Sequence, residues 1–411
     1  MHGVFITYMQ IIMKKYVVIG CLLFVVCTLQ AQKANYVTGQ EISDEYNVIV
    51  TGVQFLSITP DSRSGAMGDI GAATSADVWS QSVNASKYVW TEKKYGVGLS
   101  YVPWLKNLGV KDENLIFLSG YSKFGEHSAV GGSLRYFSMG DVPSYDDEGN
   151  DEGYDISPRE FSLDASYSRK LLDCFSMGMT ARFVYSNMIG EADDVTHTGK
   201  AVSIDLSGMF EKPLRSRKSV GMFDTRTARY TGMDYLRLGF CISNLGSKIS
   251  YTAGAKDFLP INLRLGAGYT KQIDNIQKVT LGFEINKLLV PTPPLYKYDD
   301  NGNVVDIQGK DNAVGVLKGF FQSFYDAPGG FTEEMKEYML GIGGEYCYND
   351  MLFARIGYFN EAKTKGNRKY FSTGLGFRFE MLGVDFSYII PTNGKRSPLA
   401  NTFRCSMSCE F

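Results

Sequence analysis

The sequence predicts an all-β fold: a 14-stranded antiparallel outer-membrane β-barrel with an N-terminal segment folded into its lumen as a hatch. Three observations carry this. Apolar and polar residues alternate with period two over segments longer than the soluble-strand mode of about 5 to 6 residues. The connections between those segments alternate between tight and long, as in a barrel with one rim of short turns and one of long loops. The chain also holds 44 glycines, 26 tyrosines and 26 phenylalanines, a composition for many short-turned strands with aromatic ends.

At the N-terminus, Lys14 and Lys15 precede the apolar run Tyr16 to Thr28, and Leu29, Gln30 and Ala31 follow it. This reads as a secretory signal peptide over residues 1–31, with Met13 as a plausible start. An uncleaved anchor is disfavoured, because the run is shorter than the roughly 20 residues a bilayer span needs. Val26 stands where a lipoprotein signal would place a small residue before Cys27. After it no apolar run approaches membrane-helix length, so the chain would cross a membrane only with strands.

Residues 32–90 form an N-terminal segment, of which Phe55 to Trp90 reads as the hatch. Gly65, Ala66, Gly68, Gly71, Ala72 and Ala73 let it pack tightly against barrel walls, and Gly65, Gly68, Asp69, Gly71 and Asn84 are its candidate site residues. Residues 91–411 form the barrel, with strands near 95–104, 113–123, 127–138, 158–170, 174–187, 200–211, 232–243, 260–271, 276–288, 336–348, 351–360, 368–380, 382–390 and 400–411. An even number places both ends of the barrel at one, periplasmic, rim. The last strand shows the pattern plainly: Phe403, Cys405, Met407, Cys409 and Phe411 alternate with Arg404, Ser406, Ser408 and Glu410. Its terminal phenylalanine suits an interfacial rim, and a closed barrel must pair this strand with the first.

The same parity turns Asp164, Asp205, Glu284, Glu345 and Asp385 into the lumen with Arg135, Arg182, Arg237, Arg264, Arg355, Arg378 and Arg404. Opposite charges at that density pair or hold an internal plug. One connection departs from the short-turn rule: Lys212 to Gly232, with Lys212, Arg215, Arg217, Lys218, Arg226 and Arg229, is long and basic. It is expected to be a periplasmic loop, either merely solvated or docking an acidic partner.

The longest connection, Leu289 to Glu334, opens with Pro291, Pro293 and Pro294 and ends in an aromatic cluster. Leu317, Phe320, Phe321 and Phe324 fall on one face of a short helix that ends before Pro328. With Tyr325 and Phe331 they are the candidate partner-binding residues, expected to cover the barrel mouth, to rest in the outer leaflet, or to meet a protein partner.

Catalytic chemistry finds no constellation. His127 and His197 are the histidines beyond the signal, and no motif joins either to a nucleophile. Gly341 to Gly344 lie inside a strand and so form no phosphate cradle. The acidic runs Asp146 to Asp155 and Tyr298 to Asp306 lack calcium-loop spacing, and Cys174, Cys241, Cys347, Cys405 and Cys409 lack metal-ligand spacing. No catalytic residue, cofactor or metal is expected. With 42 basic and 44 acidic residues, nucleic acid is not an expected partner either.

The stretch GAMGDIGAA (Gly65 to Ala73) with Asn84, Ala85 and Ser86 resembles the hatch of the FadL-like barrels, whose Asn-Pro-Ala motif here lacks its proline. FLSITPDSRSGAMGD (Phe55 to Asp69) resembles the PorV-like (LptO-like) family within that group. This resemblance implies an outer-membrane component of the Bacteroidetes type IX secretion system. Its partners would be the large translocon barrel, the C-terminal signal domains of secreted cargo, and the attachment complex with the PorU sortase, in an environment of outer-membrane lipid or lipopolysaccharide. Its action would be binding and hand-over. A FadL-type channel for hydrophobic small molecules, and a lipid A deacylase, stand as the rival functions.

Overall fold

The computed structural model describes residues 47–104, 113–145, 151–188, 198–215, 233–251, 256–298, 304–392 and 402–411. The expected signal peptide and most of the basic segment after strand six lie outside these residues, as do parts of both acidic runs.

The barrel consists of β1 (Tyr95–Pro103), β2 (Glu113–Phe124), β3 (Ser128–Met139), β4 (Arg159–Leu172), β5 (Phe175–Asn187), β6 (Thr198–Arg215) and β7 (Met233–Gly246), then β8 (Asn262–Gln272), β9 (Gln277–Leu288), β10 (Tyr338–Tyr348), β11 (Leu352–Asn360), β12 (Lys369–Phe379), β13 (Leu382–Pro391) and β14 (Phe403–Glu410). Each strand pairs antiparallel with its neighbour in sequence, and β1 pairs with β14 in a register that sets Leu99 opposite Met407, so the sheet is closed. Closure leaves no edge in hydrocarbon, where an unpaired backbone group costs several kcal/mol.

Alternation sorts the side chains as the sequence predicts. Arg404, Ser406 and Asp385 are fully buried in the lumen, whereas Met407 on the outer wall is 58 % exposed and Leu375 67 %. Short turns follow β2, β4, β8, β10 and β12. At the β10–β11 turn both Asn349 and Asp350 take positive φ, 53° and 51°, the left-handed pair that matches the twist of a tight hairpin. The sixth strand corrects the sequence reading at its end. Lys212 to Arg215, expected in a loop, continue β6 and pair with Met233 to Leu236, because Leu214 and its partner strand prolong the ladder past Pro213.

Two minor hairpins lie in the long loops, Val142–Tyr145 with Asp151–Ile156 and Leu295–Tyr298 with Val304–Gln308. The loop after β9 also carries α2 (Val316–Gln322) and α3 (Phe331–Glu334), and the segment before β1 carries α1 (Ser62–Ala66). The inner segment packs with the wall in two successive apolar clusters along the lumen. Val53, Phe55 and Leu56 meet Leu115 and Phe137 near the start of β2, and Val78, Trp79 and Tyr88 meet Phe117 and Tyr121 further along it.

Candidate functional site

Two constructions distinguish the interior and the mouth. The first is the junction between the inner segment, Asn47 to Thr91, and the wall. Asp61 caps α1 by accepting from the Ser64 amide at 2.8 Å, which aims Arg63 at the wall. Its guanidinium donates to Glu345 of β10 at 3.1 and 3.0 Å, and to Asp77 and Ser75 of its own segment. Glu345 also receives Arg355 at 2.6 Å, and Arg355 passes on to Asp385 at 2.6 Å. The result is a buried charge chain joining the inner segment to three strands, each member satisfied, the condition under which buried ions are tolerated.

The predicted hatch residues all lie at this junction. The Gly71 and Ala72 amides donate to Glu284 at 2.8 and 2.7 Å, and Arg264 holds the other carboxylate oxygen at 3.0 Å. The Asn84 side chain accepts from the Ser86 amide and donates to the carbonyls of Ala72 and Gly208 of β6. Asp69 accepts from Tyr370 of β12. A Cβ on Gly65 would lie 2.7 Å from the Arg404 guanidinium, and one on Gly68, at φ +70°, 2.6 Å from the Tyr358 carbonyl. The wall answers with its own glycines, since a Cβ on Gly239 would lie 1.9 Å from the Ala72 carbonyl and one on Gly357 2.0 Å from the Gly68 amide.

Beside this junction, Arg182 bridges Asp164 and Asp205 at 2.8 and 2.9 Å. It also donates to Asn244, which sits at φ +61° where the β6–β7 register slips. This separate cluster of Arg182 with Asp164 and Asp205 thus pins a bulge in the wall.

The second construction lies in the loop after β9. Lys287, at the end of β9, is fully buried and holds Glu334 at 2.8 Å and Glu337 at 2.6 Å. Lys365, from the loop between β11 and β12, holds Glu333 at 2.6 Å and Glu337 at 3.0 Å. Thr292 donates to Glu337, and Asn47 of the inner segment donates to Glu333 and to the Pro293 carbonyl. Burial would lift the Glu333 carboxyl, but Lys365 and the Gly329 amide hold it below the usual carboxylate range. Burial pushes Asp326 up to about 6, against its bonds from Gln322 and Thr292.

On this base stands the aromatic cluster, and here the geometry corrects the sequence reading. The four helix positions do not share a face. Phe320 turns down onto Phe258, Ile261, Leu289 and Val290, while Leu317 and Phe321 point outward, 69 % and 64 % exposed. Helix α2 ends at Gln322, leaving Phe324 and Tyr325 beyond it. Apolar residues that flank β8 and β9 cover Phe320, and a two-turn helix seated on them cannot bury both sides. Tyr325 and Phe331 are exposed with them, Phe331 at 80 %, and Phe320 meets Phe321 edge-on with centroids 5.1 Å apart. The exposed set is therefore Leu317, Phe321, Phe324, Tyr325 and Phe331, presented on a base fixed by buried charge.

Sequence reasoning missed Arg63, Lys287, Lys365 and the wall glycines. Strand parity gave the signal for the glycines, which sit at inward positions, but not for Lys287, which shares the parity of the outward Leu281 and Phe283 and is buried by the loop after β9, nor for Arg63 or Lys365, which lie outside strands. Among the described residues no group of side chains could hold a metal ion, and all five cysteines are free.

A family model described as type IX secretion system protein PorV matches residues 41–295. No curated protein matches the chain. Among solved structures, a deletion mutant of the TodX monoaromatic hydrocarbon channel is 12 % identical with a TM-score of 0.49, covering 85 % of this chain and 99 % of that one. The Ralstonia pickettii toluene transporter TbuX is 13 % identical with a TM-score of 0.45, covering 85 % and 98 %. A Pseudomonas aeruginosa FadL homologue is 12 % identical with a TM-score of 0.43, covering 89 % and 100 %.

Proposed function

The chain belongs to the PorV family, outer-membrane components of the type IX secretion system, and from that premise we propose that it binds secreted cargo and hands it over without catalysis. In this reading it receives cargo by the C-terminal signal domain at the large translocon barrel and carries it to the surface attachment complex that contains the PorU sortase. The observation that carries the proposal is the aromatic platform of the loop after β9. Exposed apolar side chains are costly in water unless a partner covers them. Those of Leu317, Phe321, Tyr325 and Phe331 stand on a base locked by Lys287 and Lys365, so little ordering entropy remains to oppose docking.

The interior supports hand-over at the surface in preference to passage through the lumen. The inner segment makes hydrogen bonds to strands around the whole circumference, from Ser119 of β2 through Ser166, Glu284 and Glu345 to Ser406 of β14. A channel for hydrophobic small molecules would need that segment displaced.

The test is recovery of translocon and cargo with a tagged protein carrying Phe321→Ala, Tyr325→Ala and Phe331→Ala. The barrel is expected to keep its heat-modifiable migration in gels while partner recovery falls by at least about tenfold, since a truncated aromatic anchor costs about 2 kcal/mol or more. Undiminished recovery and secretion in the folded variant would refute the proposal.

A further inference from the structure

The platform is sorted by charge. Four of its carboxylates turn toward its base and are engaged: Glu334 and Glu337 by Lys287, Glu333 by Lys365, and Asp326 by Thr292 and Gln322. Its lysines face outward. Lys318 follows Leu317 on α2, Lys336 follows Met335, and both are exposed. Lys310 lies 3.6 Å from the centre of the Tyr325 ring. Lys363 sits in the short helical turn Lys363–Lys365 that packs against the turn Met335–Glu337. Among the described residues none of these four has an ion-pair partner, and the exposed carboxylate of Asp311 instead accepts from the Ala313 amide. The surface offered outward is thus an apolar centre set among unpaired cations.

Resting on the proposed function, we infer that the polypeptide docking here is apolar at its centre and acidic at its flanks. Leu317, Phe321 and Phe331 take the apolar side chains, and Lys310, Lys318, Lys336 and Lys363 meet the flanking carboxylates. Charge complementarity of this kind acts mainly on encounter rate and on choice between partners. It is screened by salt, whereas the apolar contact is not. Lysines suit the task because their flexible stems lie along apolar surface while their ammonium groups stay in water.

The experiment uses the full-length protein in nanodiscs of zwitterionic lipid. The probes are two short fluorescent peptides with one apolar core of Leu, Val and Phe, flanked by glutamates in one and by lysines in the other. Anisotropy is expected to show the glutamate-flanked peptide binding about tenfold tighter, with the difference collapsing at high salt. The variant Lys310→Glu, Lys318→Glu, Lys336→Glu, Lys363→Glu is expected to reverse the preference. Equal binding of the two peptides, or a preference that the four substitutions leave unchanged, overturns the inference. So does lysine-dependent binding of anionic-lipid vesicles with no preference between the peptides. A parallel pull-down separates this inference from the reading beneath it. If the aromatic variant loses translocon and cargo while the charge-reversed variant keeps both, the proposed function stands and the acidic partner falls.

Discussion

Arg63 is the side chain on which the fit between inner segment and wall turns, and replacing it by alanine gives the sharpest test of that fit. Its guanidinium makes five hydrogen bonds, two of them to Glu345, with the remainder to Asp77 and Ser75. Truncating one partner of a buried pair costs about 3–5 kcal/mol, because the other charge is left uncompensated. The lower end applies here, since Glu345 keeps Arg355 at 2.6 Å and Asp77 keeps Ser80. A loss of about 3 kcal/mol raises the population with the inner segment displaced by roughly a hundredfold. Cys241 reports that population: it lies on the lumen side of β7, is 1 % exposed, and is two residues from Gly239, which rests against Ala72. Maleimide labelling of Cys241, followed by mass spectrometry of its peptide, should accelerate by about that factor in Arg63→Ala, with brief conductance bursts in planar bilayers. Arg63→Lys, which keeps the charge but loses the bidentate fork, should fall between the two. If Arg63→Ala folds normally and leaves both labelling and conductance unchanged, the buried charge chain does not hold the segment and the reasoning fails.

Three further outcomes follow from the same contacts. Gly239→Ala would drive a Cβ to 1.9 Å from a backbone carbonyl, whereas the nearest atom to a Cβ on Gly132 is 3.4 Å away. The first should lower the melting temperature by the equivalent of about 1–3 kcal/mol and the second should stay within about 0.5 kcal/mol. Phe320→Ala should loosen the loop after β9 by about 2 kcal/mol, less than a fully buried phenylalanine, while Phe321→Ala leaves it intact; hydrogen exchange of residues 316–327 distinguishes them. The raised carboxyl of Asp326, about 6 against an ordinary 3.8, contributes stability that is complete below 3.8 and lost as pH climbs through about 6. Loop exchange protection, corrected for intrinsic rates, should therefore drop between pH 4.5 and 7, and Asp326→Asn should flatten that dependence.

The barrel was legible because its rule is local. A period of two assigns each strand residue to lipid or lumen without reference to any partner, and residues such as Leu375 and Asp385 occupy the faces that their parity dictates. The antiparallel meander then follows from turn length alone, since a three-residue turn such as Asn349 to Met351 can join only neighbouring strands. The small residues from Gly65 to Ala73 could be assigned to a tight interior for the same reason: they carry too little surface to be anything but close-packed.

What the sequence did not disclose depends on contacts that no local period encodes. Arg63 lies in a five-residue helix with no periodicity, and its value arises only when folding brings it to Glu345, 282 positions away. Lys365, in the loop between β11 and β12, and Lys287, near the end of β9, are likewise joined only through Glu337, so neither reads as anything but a charged residue near a strand end. The aromatic loop went wrong by a related mechanism. Helical spacing placed Phe320 beside Leu317 and Phe321, but spacing fixes only which residues could share a face. Which side is buried is set by the wall beneath, where Phe258, Ile261 and Leu289 offered an apolar seat on one side of a two-turn helix. With Phe320 spent on anchoring, the outward set shrinks to residues whose side chains stand largely exposed, and that division makes the loop's stability and its binding separately measurable.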